Sequence, residues 1–507
     1  MAELTFYADI DDLTPPMIDR RLFMGAVGSG TLLAASRSTD VLLQATRAGL
    51  RAVEFPTDGQ VAFLTEPGRE GIFVFREGDF AYEIDSDPLQ GVYIPHNSKD
   101  KSVFGCWVRA VDGAVMVDWF GAAGDGSGDD SPAISAAIAL ASALAGQTKL
   151  SDWSSLANRD VGFRGGAVYR LAQPVEIPPT TARFHLVGIG GHACLLGDKA
   201  RSHKGFVFNS LRSTIFERLN FAGFSIATQW GTGNTDTSHI KYIDCEWSDC
   251  DVGVDTVSYE QSRSTVLVLD RCRTGGGVKR WVESHCDMLV INDAHVRSGA
   301  GDRAFVRADS QVIVRGGIWT PYVKSMSRSP REGARWFDIH DTGSYGRAAR
   351  PIASRSLTIE GAARFGPENG GYPIVCSFLR GDTAIGQRLG PHISIGSGVF
   401  AACTGATTPR QLLILMDVET EEVSKTSTPN SIQWDASAWR ANNGVIGMER
   451  SNPLGVGKTN FLRGQISYSF APGAVRAVAI VGKSTNNLLV QSELEPFVAD
   501  WHGMRRR

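Results

Sequence analysis

Long apolar runs are missing from this chain: no stretch reaches the roughly 18 residues that a membrane-crossing helix needs, so no membrane span is expected. Excess charge is missing too. The 507 residues carry 51 Lys and Arg against 54 Asp and Glu, a net charge of −3. Without clustered basic residues there is no footprint for a phosphate backbone, which argues against nucleic acid as a partner, and Arg505 to Arg507 read as a solvated tail. Cysteine is sparse and unpatterned. Cys106, Cys194, Cys245, Cys250, Cys272, Cys286, Cys376 and Cys403 form no Cys-x-x-Cys pair and no zinc spacing, so they read as reduced thiols. No nucleophile elbow, phosphate loop or dinucleotide fingerprint occurs, and no cofactor or metal is expected. Against these absences stand 56 glycines and only 21% charged residues, the profile of a turn-rich β protein rather than of a disordered chain or a coiled coil. A chain this long needs either several domains or a repeat that grows in one dimension.

The organising stretch is residues 115–138. Val115, Val117 and Trp119 alternate as in a half-buried strand, and Gly121, Gly124, Gly126 and Gly128 permit a tight reversal. A helix then begins: Asp129 or Asp130 can cap it, Pro132 suits its first position, and Ile134, Ala137, Ile138 and Ala141 make one apolar face. Asp125, Asp129 and Asp130 invite a calcium reading but lack the ligand alternation and closing Glu of an EF-type loop. In their order, Phe120-Gly-Ala122, Gly124-Asp-Gly126, Asp129-Asp130 and Ala133-Ile134 resemble the opening motif of the pectate-lyase-like, right-handed parallel β-helix proteins. Gly165 to Leu171, Pro174 to Pro178 and His185 to Gly190 look like that family's first coils, so the resemblance covers residues 115 to 195. It implies an all-β chain wound as a right-handed parallel β-helix whose open end the helix closes. It names a fold and no chemistry.

The rest of the chain repeats. An apolar residue, a second two places on and a third seven places after the first recur in Leu219-Phe221-Ile226, Ile240-Tyr242-Trp247, Leu289-Ile291-Val296, Val312-Val314-Trp319, Ile393-Ile395-Phe400 and Ile432-Trp434-Trp439, and less regularly at Leu267 and Leu357. Starts at 219, 240, 267, 289 and 312 are 21, 27, 22 and 23 residues apart, a period suited to one coil of a parallel β-helix. Cys245 and Cys272 fall at one place in successive coils and read as small stacked core residues. A second recurring element, an apolar pair followed by a charge (Trp281-Val-Glu283, Phe305-Val-Arg307, Trp336-Phe-Asp338, Phe378-Leu-Arg380, Leu415-Met-Asp417), predicts a second sheet. The later intervals lengthen, which predicts long loops over residues 320–356 and 366–391, where ordering cost makes function the usual explanation.

Four segments follow from this. Residues 1–36 form an N-terminal arm or anchor in which Arg20-Arg21 precede a moderately apolar stretch, resembling a twin-arginine export signal. Residues 37–114 read as a small β module with strands at Val61 to Leu64, Gly71 to Phe75, Gly91 to Ile94 and Cys106 to Val111, and Gly68 to Phe75 with Gly91-Val-Tyr93 resemble the particle-proximal modules of phage tailspikes. Residues 115–440 make the β-helix with its capping helix, and 441–507 a C-terminal β element in which Gly464 to Phe470 and Ala474 to Val481 are strands. A solenoid end needs a cap or a partner, here a homotrimer contact.

A β-helix stacks outward side chains about 4.8 Å apart, so one face becomes a groove for an extended polymer such as a glycan. The outward positions predicted by the repeat hold Asp270, Asn292, Arg315 and Glu360, with Asp244, Arg271 and Asp293 one place further on. Asp244 and Asp293, two coils and roughly 9–10 Å apart, suit the two carboxylates of an inverting glycosidase. Asp244, Asp270, Asp293, Glu360 and Asp338 are therefore the catalytic candidates, and Arg271, Asn292, Arg315, Trp319 and His340 the substrate-binding ones, with Glu283 and Asp341 as further acids. A lyase would use Arg271 or Arg315 instead. The same charges also serve simply to keep a solenoid soluble. The sequence lacks the Asn-Thr-Asp, Asp-Asp and Gly-His set of polygalacturonases. The resemblance thus implies a tailspike-like protein of the virion tail, attached to the phage tail or baseplate by its N-terminal region and binding a host capsule, exopolysaccharide or lipopolysaccharide. An exported bacterial hydrolase or lyase and a non-catalytic adhesin remain open as alternatives.

Overall fold

The computed structural model describes residues 41–96, 105–111, 113–146, 159–177, 183–208, 213–230, 239–256, 264–297, 305–308, 311–320, 337–340 and 356–365, and beyond these the strands 375–379, 392–395, 400–401, 412–416, 431–435, 445–450, 466–469 and 477–482. The predicted arm over residues 1–36, Asp341 and Trp336 lie outside the described residues, and of the side chains of Asp338 and His340 nothing is described.

From Val115 onward the strands rotate among three sheets of twelve, nine and eleven described strands. Each strand pairs in parallel with its counterparts one coil before and one coil after. This is a parallel β-helix, and it is built by alternation. In the first sheet Val161, Leu186, Phe216, Tyr242, Leu269, Ile291, Val314 and Ile359 share one register column, and all are fully buried. Burying each such side chain is worth about 1.5–3 kcal/mol. Because like positions lie above one another, rings stack: Phe208 on Trp230 at 3.9 Å and Phe216 on Tyr242 at 4.8 Å between centroids. The one hydroxyl in that stack is satisfied, since the Trp230 indole N–H donates to the Tyr242 oxygen at 2.9 Å and Thr228 lies 2.6 Å from it.

Three expectations change. The second recurring element belongs to the third of three sheets, because the third apolar position of the repeat, as at Trp247, already lies past a corner in a short strand of its own, Glu246–Ser248. Leu219-Phe221 is out of phase: Phe221 registers with Trp247 in the second sheet, and the true counterparts of Ile240 and Tyr242 are Thr214 and Phe216, hidden because a threonine stands where an aliphatic was sought. Within the long intervals the second recurring element is strand, as Phe337–His340 and Val375–Leu379 of the third sheet, but in a different register from the one expected. There Asp338 registers with Ser377, three places from the alignment that the apolar pairs suggest. Past residue 440 the parallel ladders persist, with Val445–Arg450 on Leu412–Met416, Ile466–Ser469 on Ser431–Asp435 and Ala477–Gly482 on Val445–Arg450.

At the N-terminal end of the coil only Val115–Met116 is strand, and Val117–Phe120 tightens into a 3-10 turn that buries Val117 and Phe120. The helix Ser131–Gly146 then lays Ile134, Ala137, Ile138 and Ala141 over the first coils. The three aspartates of the opening motif are spent on backbone. Asp130, buried, accepts from the N–H of Ala123 at 2.7 Å and of Arg170 at 3.1 Å, tying the turn to the second sheet. Asp129 accepts from the N–H of Ser131 and of Ala172, each at 3.0 Å, and Asp125 from the N–H of Ser127 at 2.8 Å. Gly124 has φ +63, in the left-handed region that favours glycine, and a Cβ there would crowd Ala167 and Tyr169 at 3.0 Å. Among the described residues no group of His, Cys, Asp and Glu is arranged to hold a metal.

Ahead of the coil, a five-stranded mainly antiparallel sheet and two short helices, Arg47–Arg51 and Ala81–Ser86, enclose a small core of Leu50, Phe73, Phe75, Ile94 and Trp107. Arg69 bolts this module to the coil by donating to the carbonyls of Trp119 at 2.6 Å and Phe120 at 2.7 Å, while the Arg109 guanidinium lies 4.5 Å from the ring centres of both Phe73 and Trp119. No helix among the described residues is long and apolar enough to cross a membrane.

Asp130→Ala leaves two N–H groups without their acceptor and should lower unfolding stability by about 1–3 kcal/mol. Asp125→Ala, at an exposed turn, should cost well under that; equal losses in denaturant titrations would remove the stapling role assigned to Asp130.

Candidate functional site

The outward residues fall on two distinct faces. On the first sheet, Glu217, Ile243, Asp270, Asn292, Arg315 and Glu360 stand in one register column, of which the repeat predicts all but Glu217. The next residue in each coil makes the corner into the second sheet and is left-handed: Arg218, Asp244, Arg271 and Asp293 have φ of 53°, 49°, 51° and 46°, and Gly316 and Gly361 continue the series. Asp, Asn and Gly tolerate that conformation better than other residues, so Asp244 and Asp293 have a backbone reason for their identity. Their peptide N–H groups extend the corner as a ladder, donating to the carbonyls of Asp270 at 3.0 Å and Arg315 at 2.7 Å.

The charges on this face are mutually neutralised. Arg271 grips Asp244 with two hydrogen bonds of 3.1 Å and Asp270 with one of 3.0 Å, and both carboxylates raise the Arg271 pKa. Arg315 pairs with Glu360 at 2.5 Å. Such exposed pairs are screened by water, add little to stability and do not set up proton transfer. The structure thus brings together Asp244, Asp270 and Arg271, and separately Arg315 and Glu360, as an exposed ion-paired strip with Asn292 between them. Asp338 and His340 are not part of it, since they lie on the third sheet, registered with Arg307 and Leu379 respectively. Trp319 must be reassigned. It is wholly buried, its ring packed 6.2 Å from Trp281 and 5.3 Å from Phe337, because its position in the coil points inward; it is core and touches no ligand outside the coil.

The third sheet carries a different constellation. Its outward column runs Val207, Gln229, Asp255, Glu283 and Arg307, one residue per coil, and the backbone register continues to Asp338. Lys204 donates to the Gln229 side-chain oxygen at 2.6 Å, and the Gln229 amide donates to Asp255 at 3.1 Å. One coil further, Glu283 accepts from Arg280 on its own strand and from Arg307 on the next, the latter at 2.8 Å. The group is half-buried, with Glu283 and Arg280 side chains exposed only to 18% and 11%. That burial separates the two acids electrostatically. Loss of water pushes the Asp255 carboxyl above its ordinary value; the Gln229 hydrogen bond opposes this and the neighbouring Glu283 charge adds to it. Burial acts on Glu283 in the same direction, but Arg280 and Arg307 together overcome it and hold Glu283 below its ordinary value. His285, the single residue between the third-sheet strand ending at Ser284 and the first-sheet strand starting at Cys286, adds its charge to both acids' surroundings. Two neighbouring carboxyls with opposed shifts are the arrangement acid and base catalysis uses.

The sequence pattern includes Glu283, Arg307 and Asp338 but misses Asp255, whose strand reads Gly253-Val254-Asp255. A glycine stands where other coils have Trp281 or Phe305, since a Cβ at Gly253 would lie 2.6 Å from the Trp281 carbonyl and 3.2 Å from the Trp247 ring. The signal was a charge after Val, not an aromatic before it.

Fold and faces together define a parallel β-helix with charged outer ladders. Solved structures to which the chain is similar include three phage or phage-like proteins. The enzymatically active domain of tailspike protein 2 of bacteriophage CBA120 matches at 12% identity and a TM-score of 0.40, covering 90% of this chain and 59% of that one. Pantoea stewartii WceF, a glycan biofilm modifying enzyme with a tailspike-like parallel β-helix fold, matches at 13% and 0.38, covering 85% and 54%. The tailspike protein of Acinetobacter baumannii phage AM24 matches at 11% and 0.36, covering 88% and 65%. The chain therefore spans between about half and two thirds of the length of these three. No family model matches the sequence, and no curated protein matches it.

Two outcomes follow. Trp319→Ala should cost about 3–5 kcal/mol of stability, as for a large core side chain, whereas Asp244→Gly should fold with stability unchanged within about 0.5 kcal/mol; a fully stable Trp319→Ala protein in thermal melts would contradict its burial. Asp255 carries a raised folded-state pKa, so its contribution to stability is present below its unfolded value of 3.8 and is lost as pH rises through the folded value. Asp255→Asn should accordingly gain stability relative to the parent at pH 7 and not at pH values below 3.8.

Proposed function

We propose that this is a tailspike-like protein of a virion tail that binds a host surface polysaccharide along the outside of its β-helix and cleaves it by glycosidic hydrolysis with paired carboxylates. One observation carries the catalytic part: Asp255 and Glu283, neighbours in register on adjacent coils, sit half-buried in environments that favour a protonated acid on one and a charged carboxylate on the other. The pair of Asp244 and Asp293, favoured by spacing in the sequence, is better explained by its corner conformation.

The exposed strip of Asp244, Asp270, Arg271, Asn292, Arg315 and Glu360 fits a binding surface: flat, periodic and rich in hydrogen-bonding groups that a hydroxylated polymer can exchange for water. Its complete ion pairing also supports the second reading, an adhesin that binds and does not cleave. A solenoid end needs a cap or a partner, which supports association into a homotrimer, with the N-terminal region joining the phage tail.

The test is incubation with purified capsular polysaccharide and lipopolysaccharide from candidate hosts, reading new reducing ends for hydrolysis and the ultraviolet absorbance of an unsaturated uronate for a lyase. Hydrolysis should appear without that absorbance, and Asp255→Asn and Glu283→Gln should each slow it by about 10²–10⁴-fold while Asp244→Asn and Asp293→Asn retain it. Binding with no new ends from any preparation would establish the adhesin instead.

A further inference from the structure

The stereochemical course of that hydrolysis follows from how the two acids are spaced. Asp255 and Glu283 are direct register partners on adjacent parallel strands, as are Gln229 and Asp255 before them and Glu283 and Arg307 after. Adjacent strands lie about 4.8 Å apart. Carboxyls carried by register partners start from backbones at that spacing, close to the ~5–5.5 Å found where one carboxylate attacks the sugar directly and short of the ~6.5–9.5 Å needed to seat a water between carboxylate and sugar. Acids two coils apart start from about twice that spacing.

The surroundings distinguish the roles. Glu283 is clamped by guanidinium groups from two strands, Arg280 on its own and Arg307 on the next. That clamp keeps it ionised and fixes its direction, as a nucleophile requires. The Asp255 carboxyl instead receives the neutral Gln229 amide, which Lys204 holds from the far side; the Lys204 and His285 charges act on it, but burial outweighs them. It is the acid that can keep a proton to give.

Resting on the hydrolytic reading above, we infer that this face cleaves glycans with retention of configuration, Glu283 as nucleophile and Asp255 as acid and then base. In the first step a Glu283 carboxylate oxygen bonds to the anomeric carbon as the bond to the leaving oxygen breaks, and that oxygen takes the Asp255 proton. In the second, water attacks the anomeric carbon, its proton passes to Asp255, and the ester to Glu283 breaks, returning both groups to their starting states. Arg280 and Arg307 are positioning residues: they set the charge and aim of Glu283.

The decisive measurement needs no variant. With the polysaccharide preparation that yields reducing ends, proton NMR of the first-formed product, taken before mutarotation, should show the same anomeric configuration as the cleaved linkage. Opposite configuration overturns the inference while leaving the hydrolytic reading in place, and absence of cleavage overturns both. Sodium azide then separates the roles. Glu283→Ala with azide should form a glycosyl azide of inverted configuration, and Asp255→Ala with azide one of retained configuration, each recovering part of a loss of about 10²–10⁴-fold. Azide products in the reverse assignment, from variants whose melting confirms that they fold, would exclude the stated roles. Arg307→Ala should shift the acid limb of the pH–rate profile upward, because Glu283 loses a cation that keeps it ionised, and should leave the alkaline limb set by Asp255 in place. An unmoved acid limb would deny Arg307 its positioning role.

Discussion

One coil of this molecule cannot bury its own apolar side chains; only the coils on either side can cover them. The whole structure therefore depends on parallel register between coils, in which like positions lie one above another. A shift of one residue would turn Tyr242, Leu269 and Ile291 outward together and bring their charged neighbours inside. The stacked core enforces the register, and the register places every outward residue against one partner above and one below. That is why the outer charges come as ladders rather than as scattered pairs, and why the surface chemistry of the protein is a consequence of its core.

The same constraint leaves two ends to be closed. At the first coil the capping helix supplies the missing neighbour, and the aspartates of the opening motif serve to hold the helix and the preceding turn to the second sheet through backbone N–H groups. A metal is not needed to explain them. The junction with the preceding module uses the other economical device, a buried arginine feeding several carbonyls at once, with Arg69 and Arg109 between the two cores. Burial lowers the pKa of Arg109 to about 9, a sign of how thoroughly that side chain is enclosed.

Ladders of charge are not all equivalent. At the corner between first and second sheets Arg271 and Asp244 stand largely in water beside the partly covered Asp270, and the three neutralise one another at small energetic consequence. On the third sheet the residues are drawn half under cover, where removing water acts on each carboxyl and the placement of two guanidinium groups decides which one stays charged. The difference between a solubilising strip and a chemically poised pair is burial, with composition nearly the same.

From the sequence alone came the β-helix, its opening motif, the helix face of Ile134, Ala137, Ile138 and Ala141, and the register column of Asp270, Asn292, Arg315 and Glu360, all of them local patterns of period two or of one coil. Pattern also misled where a coil departed from the average: Thr214 concealed one strand and Gly253 concealed the strand that carries Asp255. Trp319 stood in the apolar repeat Val312-Val314-Trp319 as well as among the binding candidates, and its burial sides with the repeat. Tertiary structure decided the rest. The number of sheets, the left-handed corners that account for Asp244 and Asp293, and the meeting of Asp255 with Glu283, Arg280 and Arg307 all depend on which residues lie across a coil from one another. That distance, 28 residues along the chain and one strand in space, is set by stacking and written in no single segment.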